Sequence, residues 1–149
     1  MFTVIQRLRV EWSHCDPAGI IFNPNYYIWM DGGTHGLLQA AGFDFVARTR
    51  DSSDFLGCPL VASNMEFKRP LRLGDIVTLV SRVEKFGTSS FVVTHEFSSG
   101  SACDLVARGA EVRVWAHSGK EGGSAIVALP VPEAVRKLLS VEKTVDISV

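Results

Sequence analysis

Asn25-Tyr26-Tyr27-Ile28-Trp29-Met30-Asp31-Gly32-Gly33-Thr34-His35-Gly36-Leu37-Leu38-Gln39-Ala40-Ala41 is the segment on which the architecture turns. Tyr26, Met30, Gly33, Leu37 and Ala41 recur at helical spacing. Asn23 or Asn25 suits the cap, Pro24 suits the first turn, and Gly42 suits the stop. Gly32, Gly33 and Gly36 fall inside this helix, and a mid-helix glycine costs roughly 1 kcal/mol relative to alanine. The compensation expected is close approach, with a sheet wrapping tightly over the positions that lack a Cβ. A break at Gly32-Gly33 is the alternative.

Outward from the helix, the chain reads as strands. Before it, residues 3–12 alternate, with Val4, Leu8, Val10 and Trp12 on one face and Arg7, Arg9 and Glu11 on the other. After it, Met65 and Phe67 alternate with Glu66 and Lys68. Val77, Leu79, Ser81 and Val83 form one face of the next run, and Phe91, Val93, His95 and Phe97 one face of another. The longest run, Leu105 to His117, places Val106, Ala110, Val112, Val114 and Ala116 together. Lys85-Phe86-Gly87-Thr88 suits a hairpin turn, Gly119 to Ser124 a loop, and residues 133–140 a short helix. Short connections favour antiparallel pairing. One glycine-rich helix against one antiparallel sheet is an α+β arrangement, and its outer face and edges call for oligomerisation to cover them.

The chain's 149 residues suit one domain spanning 1–149. Fifteen basic and 16 acidic residues give a net charge of -1, which argues against a polyanion-binding protein, so no nucleic-acid partner is expected. No run approaches the roughly 18–20 apolar residues needed to cross a bilayer, and the N-terminus lacks a signal peptide's charged-then-apolar order. Cys15, Cys58 and Cys103 are odd in number and widely spaced, as thiols in a reducing cytoplasm would be.

The loop His14-Cys15-Asp16-Pro17-Ala18-Gly19-Ile20-Ile21 carries the best candidate for chemistry. It sets a carboxylate between a strand end and a helix start. The helix start offers unpaired N–H groups and a positive dipole end, which can stabilise an oxyanion. A carboxylate facing such a site suits hydrolysis of an activated acyl group, as nucleophile or as general base. Generic principles alone favour a local role for Asp16, an Asx turn before Pro17.

The string Asp16-Pro17-Ala18-Gly19-Ile20-Ile21-Phe22-Asn23-Pro24-Asn25-Tyr26, followed by Trp29 and Asp31, resembles the signature of the 4-hydroxybenzoyl-CoA thioesterase family. Gly57-Cys58-Pro59-Leu60-Val61 with Asn64, and Glu111-Val112-Arg113-Val114-Trp115, resemble that family's second and last core strands. The resemblance implies a hotdog fold, an antiparallel sheet wrapped around one long central helix, in a homodimer or homotetramer with interface active sites. It implies hydrolysis of acyl-CoA thioesters, aromatic ones of the benzoyl or hydroxybenzoyl type, without metal or redox cofactor. Asp16 falls on the catalytic aspartate and the Asn23 backbone N–H on the oxyanion donor. Tyr26 and Asp31 fall in the substrate region, with Asp31 able to accept a hydrogen bond from a ring hydroxyl. Cys58, Ser63 and Asn64 belong to the strand that lines a neighbouring subunit's acyl pocket.

Two departures stand out. His14 replaces an acidic residue before the Cys-Asp pair, where it either tunes Asp16 or hydrogen-bonds within the loop. The turn after the third strand holds only Lys85 as a charge, so CoA's phosphates have one expected partner there, with Lys68, Arg69, Arg72, Arg113, Lys120 and Lys137 as alternatives. Asp31 and His35 are four apart on the helix, too few ligands for a divalent site. His95 reads as a satisfied interior or interface histidine. Short-chain acyl-CoA, acyl-carrier-protein thioesters, a hotdog hydratase and a non-catalytic acyl-CoA-binding module are the rival functions.

Overall fold

The computed structural model describes residues 1–45, 47, 50, 55–119 and 125–148. Its elements are β1 (Phe2–Arg9), a 3-10 turn (Trp12–His14), α1 (Pro24–Ala40), β2 (Phe55–Gly57), β3 (Leu60–Phe67), β4 (Ile76–Phe86), β5 (Ser90–Ser99), β6 (Asp104–Val114), β7 (Ala116–Ser118), β8 (Ile126–Ala128), α2 (Glu133–Ser140) and β9 (Lys143–Asp146). Among the described residues the main sheet runs β3-β6-β5-β4-β1-β9. Every neighbour pair in it is antiparallel except β1 with β9. The sheet packs on α1, as the hotdog arrangement requires, and its large antiparallel body follows from the short connections between β4, β5 and β6.

The helix starts one residue earlier than its periodicity suggests, with Pro24 in its first turn, and ends before Gly42, whose φ is +93°. Tyr26, Met30, Gly33, Thr34, Leu37 and Leu38 form its buried side. The close-approach reading of the glycines holds at two of three positions. A Cβ on Gly33 would lie 2.6 Å from Ser81 Oγ and 3.2 Å from His95 Nδ1, and one on Gly36 would lie 2.8 Å from Ile147 Cδ1. Gly32 faces open space. On the sheet side, a Cβ on Gly109 would collide with Met30 Sδ and lie 2.8 Å from the Asn64 carbonyl oxygen.

Val77, Leu79, Ser81 and Val83 on β4, and Phe91, Val93, His95 and Phe97 on β5, are buried together as their alternation requires. Two strand readings need correction. Trp12 does not continue the first strand: Val10 makes the last backbone contacts, with Gly74 and Asp75, and the 3-10 turn swings the indole into solvent at 81% exposure. On β6, Val106 is buried as expected, but Ala110, Val112 and Val114 do not share its inward face. An irregularity opposite Phe97 and Ser98 buries both Val106 and Ala107, and the inward face then passes to Gly109, Glu111 and Arg113. Ala110, Val112 and Val114 lie half-buried on the outer face. A bulge of this kind shifts every later side chain to the opposite face. The short strands β2, β7, β8 and β9 were not legible from alternation, whereas α2 matches its expected span. Of the Gly119–Ser124 loop, residues 120–124 lie outside the described residues.

Gly33→Ala should cost about 1–3 kcal/mol by overpacking against Ser81 and His95. Gly32→Ala, with nothing to meet, should gain about 0.5–1 kcal/mol from helix propensity. Urea unfolding of the two variants checks the contrast, and equal effects would remove the close-packing account.

Candidate active site

The loop after β1 is a lasso tied at its neck. Cys15 and Ile21 form an antiparallel bridge, Phe22 N–H donates to the His14 carbonyl (2.9 Å), and Ile21 N–H donates to the Leu71 carbonyl (3.1 Å). Inside it, Asp16 N–H donates to the Ile20 carbonyl (3.0 Å) and Gly19 N–H to the Asp16 carbonyl (2.9 Å). Gly19 has φ +73°, a backbone that residues with a Cβ rarely adopt. The Asn25 side-chain amide donates to the His14 carbonyl (2.9 Å) and ties the lasso to the first turn of α1. Asp16 and the start of α1 are therefore held at one junction by backbone bonds.

The Asp16 carboxylate makes the Asx turn allowed by the sequence: Ala18 N–H donates to Oδ1 at 2.8 Å. That bond leaves Oδ2 without a partner among the described residues, so the local role and a chemical one are compatible. Asp16 lies on a cavity of about 450 Å³ lined also by Trp12, Cys15, Pro17, Gly19 and Leu73. The lining is mostly apolar, with the exposed Trp12 and Leu73 side chains as its bulky members. At the helix start, Pro24 has no N–H, Asn25 N–H donates to Phe22 O and Tyr26 N–H to Asn23 O. The Asn23 N–H meets no acceptor among the described residues, and Asn23 is exposed. No side-chain bond caps this end.

His14 is engaged by its own turn. Its Nδ1 accepts the Glu11 N–H at 3.0 Å, and its ring stands edge-on to Trp29 at 5.2 Å. Tyr26 must be moved from the expected substrate region to the core. Its ring is buried among Trp29, Phe67 and Phe97, and burial, with the Asp75 charge adding, pushes its phenol up to about 12. Burial likewise pushes the Cys58 thiol up to about 12 against the opposing pull of Arg113. Ser63 Oγ is buried without a hydrogen-bond partner among the described residues, and Asn64 is exposed beside it on β3. Lys85 is exposed next to the turn after β4, and Arg136 braces that turn by donating to the carbonyls of Gly87 (2.5 Å) and Thr88 (2.8 Å). Among the alternative phosphate partners, Lys68 pairs with Glu66 and Arg69 with Asp104. Arg113 is 4% exposed and spent internally, and Lys120 lies outside the described residues.

The structure also reveals a buried polar network that the alternation pattern hid. Arg113 Nη2 donates to both Glu111 oxygens (2.9 Å each) and Nε to Oε2 (3.1 Å), while Nη1 donates to the Cys58 carbonyl (3.3 Å). Thr34 Oγ1 on α1 donates to Glu111 Oε2 at 2.6 Å. His95 Nε2 lies 3.3 Å from Thr34 Oγ1 and 3.6 Å from Glu111 Oε2, with Ser81 Oγ 2.9 Å from its Nδ1. Arg113 Nη2 reaches Asp31 Oδ1 at 2.6 Å. The Asp31 side chain remains 55% exposed, with Oδ2 3.5 Å from His35 Nδ1. Burial alone would raise the Glu111 carboxyl, but hydrogen bonds from His95 and Thr34, together with Arg113, hold it below its ordinary range. The signal available in sequence was the opposite-charge pair Glu111 and Arg113, two apart within an apolar strand.

A family model for the thioesterase-like superfamily matches residues 10–139. The chain belongs to the thioesterase-like superfamily. It is 29% identical over 141 residues to the 4-hydroxybenzoyl-CoA thioesterase of Pseudomonas sp. (strain CBS-3), covering 93% of this chain and 98% of that one. Its fold superposes with a TM-score of 0.83 and 28% identity on an aspartate-to-asparagine variant of 4-hydroxybenzoyl-CoA thioesterase complexed with 4-hydroxybenzoyl-CoA, covering 93% and 99% of the two chains. A gentisyl-coenzyme A thioesterase structure matches at TM-score 0.76 and 32% identity, over 89% and 98%. These thioesterase structures share the fold in which, here, the β1–α1 loop carries Asp16 and Asn23 and α1 carries Asp31.

Because the folded pKa of Glu111 is below its ordinary value of 4.5, its contribution to stability is whole above that pH and is lost as pH falls through the folded pKa. Glu111→Gln should cost about 3 kcal/mol at neutral pH by leaving Arg113 undercompensated. The gap from wild type should close as pH drops below 4.5. Unfolding curves across this range test it, and a gap constant into strongly acidic pH would contradict the assignment.

Proposed function

We propose that this protein hydrolyses aromatic acyl-CoA thioesters of the benzoyl or hydroxybenzoyl type, with Asp16 as nucleophile or general base. The observation that carries this reading is the junction of the lasso with α1. One carboxylate oxygen is fixed by Ala18 N–H while the other is left for chemistry, over a largely apolar cavity. The open Asn23 N–H at the positive end of α1 would polarise the thioester carbonyl. Attack by carboxylate on the carbonyl carbon would expel the thiolate and leave an acyl-enzyme anhydride for water to cleave. Abstraction of a proton from water would instead deliver hydroxide directly to the same carbon.

The spacing along α1 supports a single ring as the acyl group. Asp31 stands eight residues beyond Asn23, about 12 Å along the helix axis. Removing a hydrogen bond of about 2.8 Å at each end leaves roughly 6 Å, the span of a benzoyl group from its carbonyl oxygen to a para oxygen. The site would be completed by a second copy of the chain. β3 is an edge strand, and Leu60, Val61 (62% exposed) and Phe67 on it, with Tyr27 and Ile28 on α1, present apolar surface to solvent. Asn64, exposed on β3, would reach the neighbouring pocket from that edge, whereas the Cys58 side chain and Ser63 Oγ are buried within their own subunit. The turn beside Lys85, where Arg136 is occupied by carbonyls, favours acyl-carrier-protein thioesters as a second reading, because such donors dispense with the free nucleotide.

Thiol release from matched aromatic, short-chain and carrier-protein thioesters tests the reading. Wild type should turn over aromatic acyl-CoA best, and Asp16→Asn should lower the rate by about 10²–10⁴-fold. Saturable binding of the esters without turnover would leave a binding module instead.

A further inference from the structure

Arg113 is an unusual residue to find on the inner face of a core strand, and its bonds are unevenly distributed. Four of them, to both Glu111 oxygens and to the Cys58 carbonyl, are buried and hold the guanidinium in place. Its contact with Asp31 is different in kind: it crosses from β6 to α1 and ends on a carboxylate that is 55% exposed. A buried guanidinium fixed by one carboxylate thus grips a second carboxylate by a single oxygen, Oδ1, and leaves Oδ2 facing the exposed side of α1, near His35.

We infer that Arg113 is a positioning residue that holds Asp31 as an oriented acceptor and so sets the preference for acyl groups carrying a neutral hydrogen-bond donor. This inference rests on the aromatic thioesterase reading above. Three facts lead to it. The planar guanidinium fork is pre-organised, because Glu111 is itself held by Thr34 and His95, so Asp31 gains a fixed partner where an exposed side chain would otherwise sample several rotamers. The charges of Glu111, Arg113 and Asp31 sum to -1, so the guanidinium has no unmet demand for an incoming anion. Such a site rejects a carboxylate and accepts a phenol, whose hydroxyl would donate to Oδ2. Ser63, opposite Glu111 in the β3–β6 register and so on the same inward face, adds a buried hydroxyl that has no partner among the described residues.

The test compares 4-hydroxybenzoyl-CoA, benzoyl-CoA and 4-carboxybenzoyl-CoA as substrates of the full chain. For wild type, the hydroxylated ester should show a KM at least about tenfold below that of the carboxylated one. An equal or lower KM for the carboxylated ester would overturn the inference, and this arm needs no variant to fold. Arg113→Lys, which keeps the charge and loses the fork, should reduce the preference for hydroxybenzoyl over benzoyl by about tenfold, carried by KM rather than kcat. In an Asp31→Asn background the same substitution should no longer move that preference. A loss equal for both esters, or one that persists without the Asp31 carboxylate, would make Arg113 a structural residue only and overturn its positioning role. Failure of wild type to hydrolyse any of the three esters would instead remove the proposed function, and this inference with it.

Discussion

The rest of the structure depends on one buried ion pair. Glu111 and Arg113 place a carboxylate and a guanidinium between sheet and helix, where each would carry a desolvation cost of several kcal/mol if left alone. They are tolerated because their remaining capacity is met: Thr34 and His95 serve the carboxylate, Cys58 and Asp31 the guanidinium. Satisfying them requires α1 to approach the sheet closely, and Gly33 makes that approach possible by leaving room for Ser81 and His95. Three elements, α1, β5 and β6, are thereby locked in one register by polar geometry, which is more directional than apolar packing.

That register reaches the lasso. Met30 lies over Gly109, and Tyr26 packs against Trp29, Phe67 and Phe97, so the first two turns of α1 cannot rotate or slide without opening the core. The start of α1 is bound to the lasso by the Asn25 side chain and the Phe22 N–H. The placement of the lasso that carries Asp16 at the start of α1 is thus inherited from the core. A loop with one glycine at positive φ and a proline can be rigid enough for chemistry when both of its ends are fixed in this way.

Local patterns carried some of this and missed the rest for identifiable reasons. The alternations on β4 and β5 were readable because both strands are central and present one buried face each. The helix was readable from its spacing, and the family likeness of the Asp16–Tyr26 string indicated the fold. The β6 face was misread because inward valines are the default expectation, while a bulge near Leu105 handed the inner face to Gly109, Glu111 and Arg113. A bulge leaves no mark in hydropathy. Tyr26 illustrates the converse difficulty: a residue inside a motif may serve the core under the site, and only burial separates the two roles. The short strands β2, β7 and β8 span three residues each, too few for alternation to register.

The two ends of the helix's exposed path carry different demands. At Asn23, in the proposed reaction, a backbone N–H would meet any thioester carbonyl, whatever acyl group is attached, and no side-chain identity enters. At Asp31, two turns on, a side chain held from below by Arg113 would meet only the far end of the acyl group. Because a helix is stiff over two turns, the separation between these points is a fixed length, and substrates would be sorted by whether they fill it and what they present at its end. Changes at Asp31 would therefore alter selectivity while Asp16 and Asn23 keep their geometry, since Asp31 makes none of the bonds that tie the lasso to the start of α1. The cost of this arrangement falls on the core, which must bury a guanidinium so that a half-exposed carboxylate points one way.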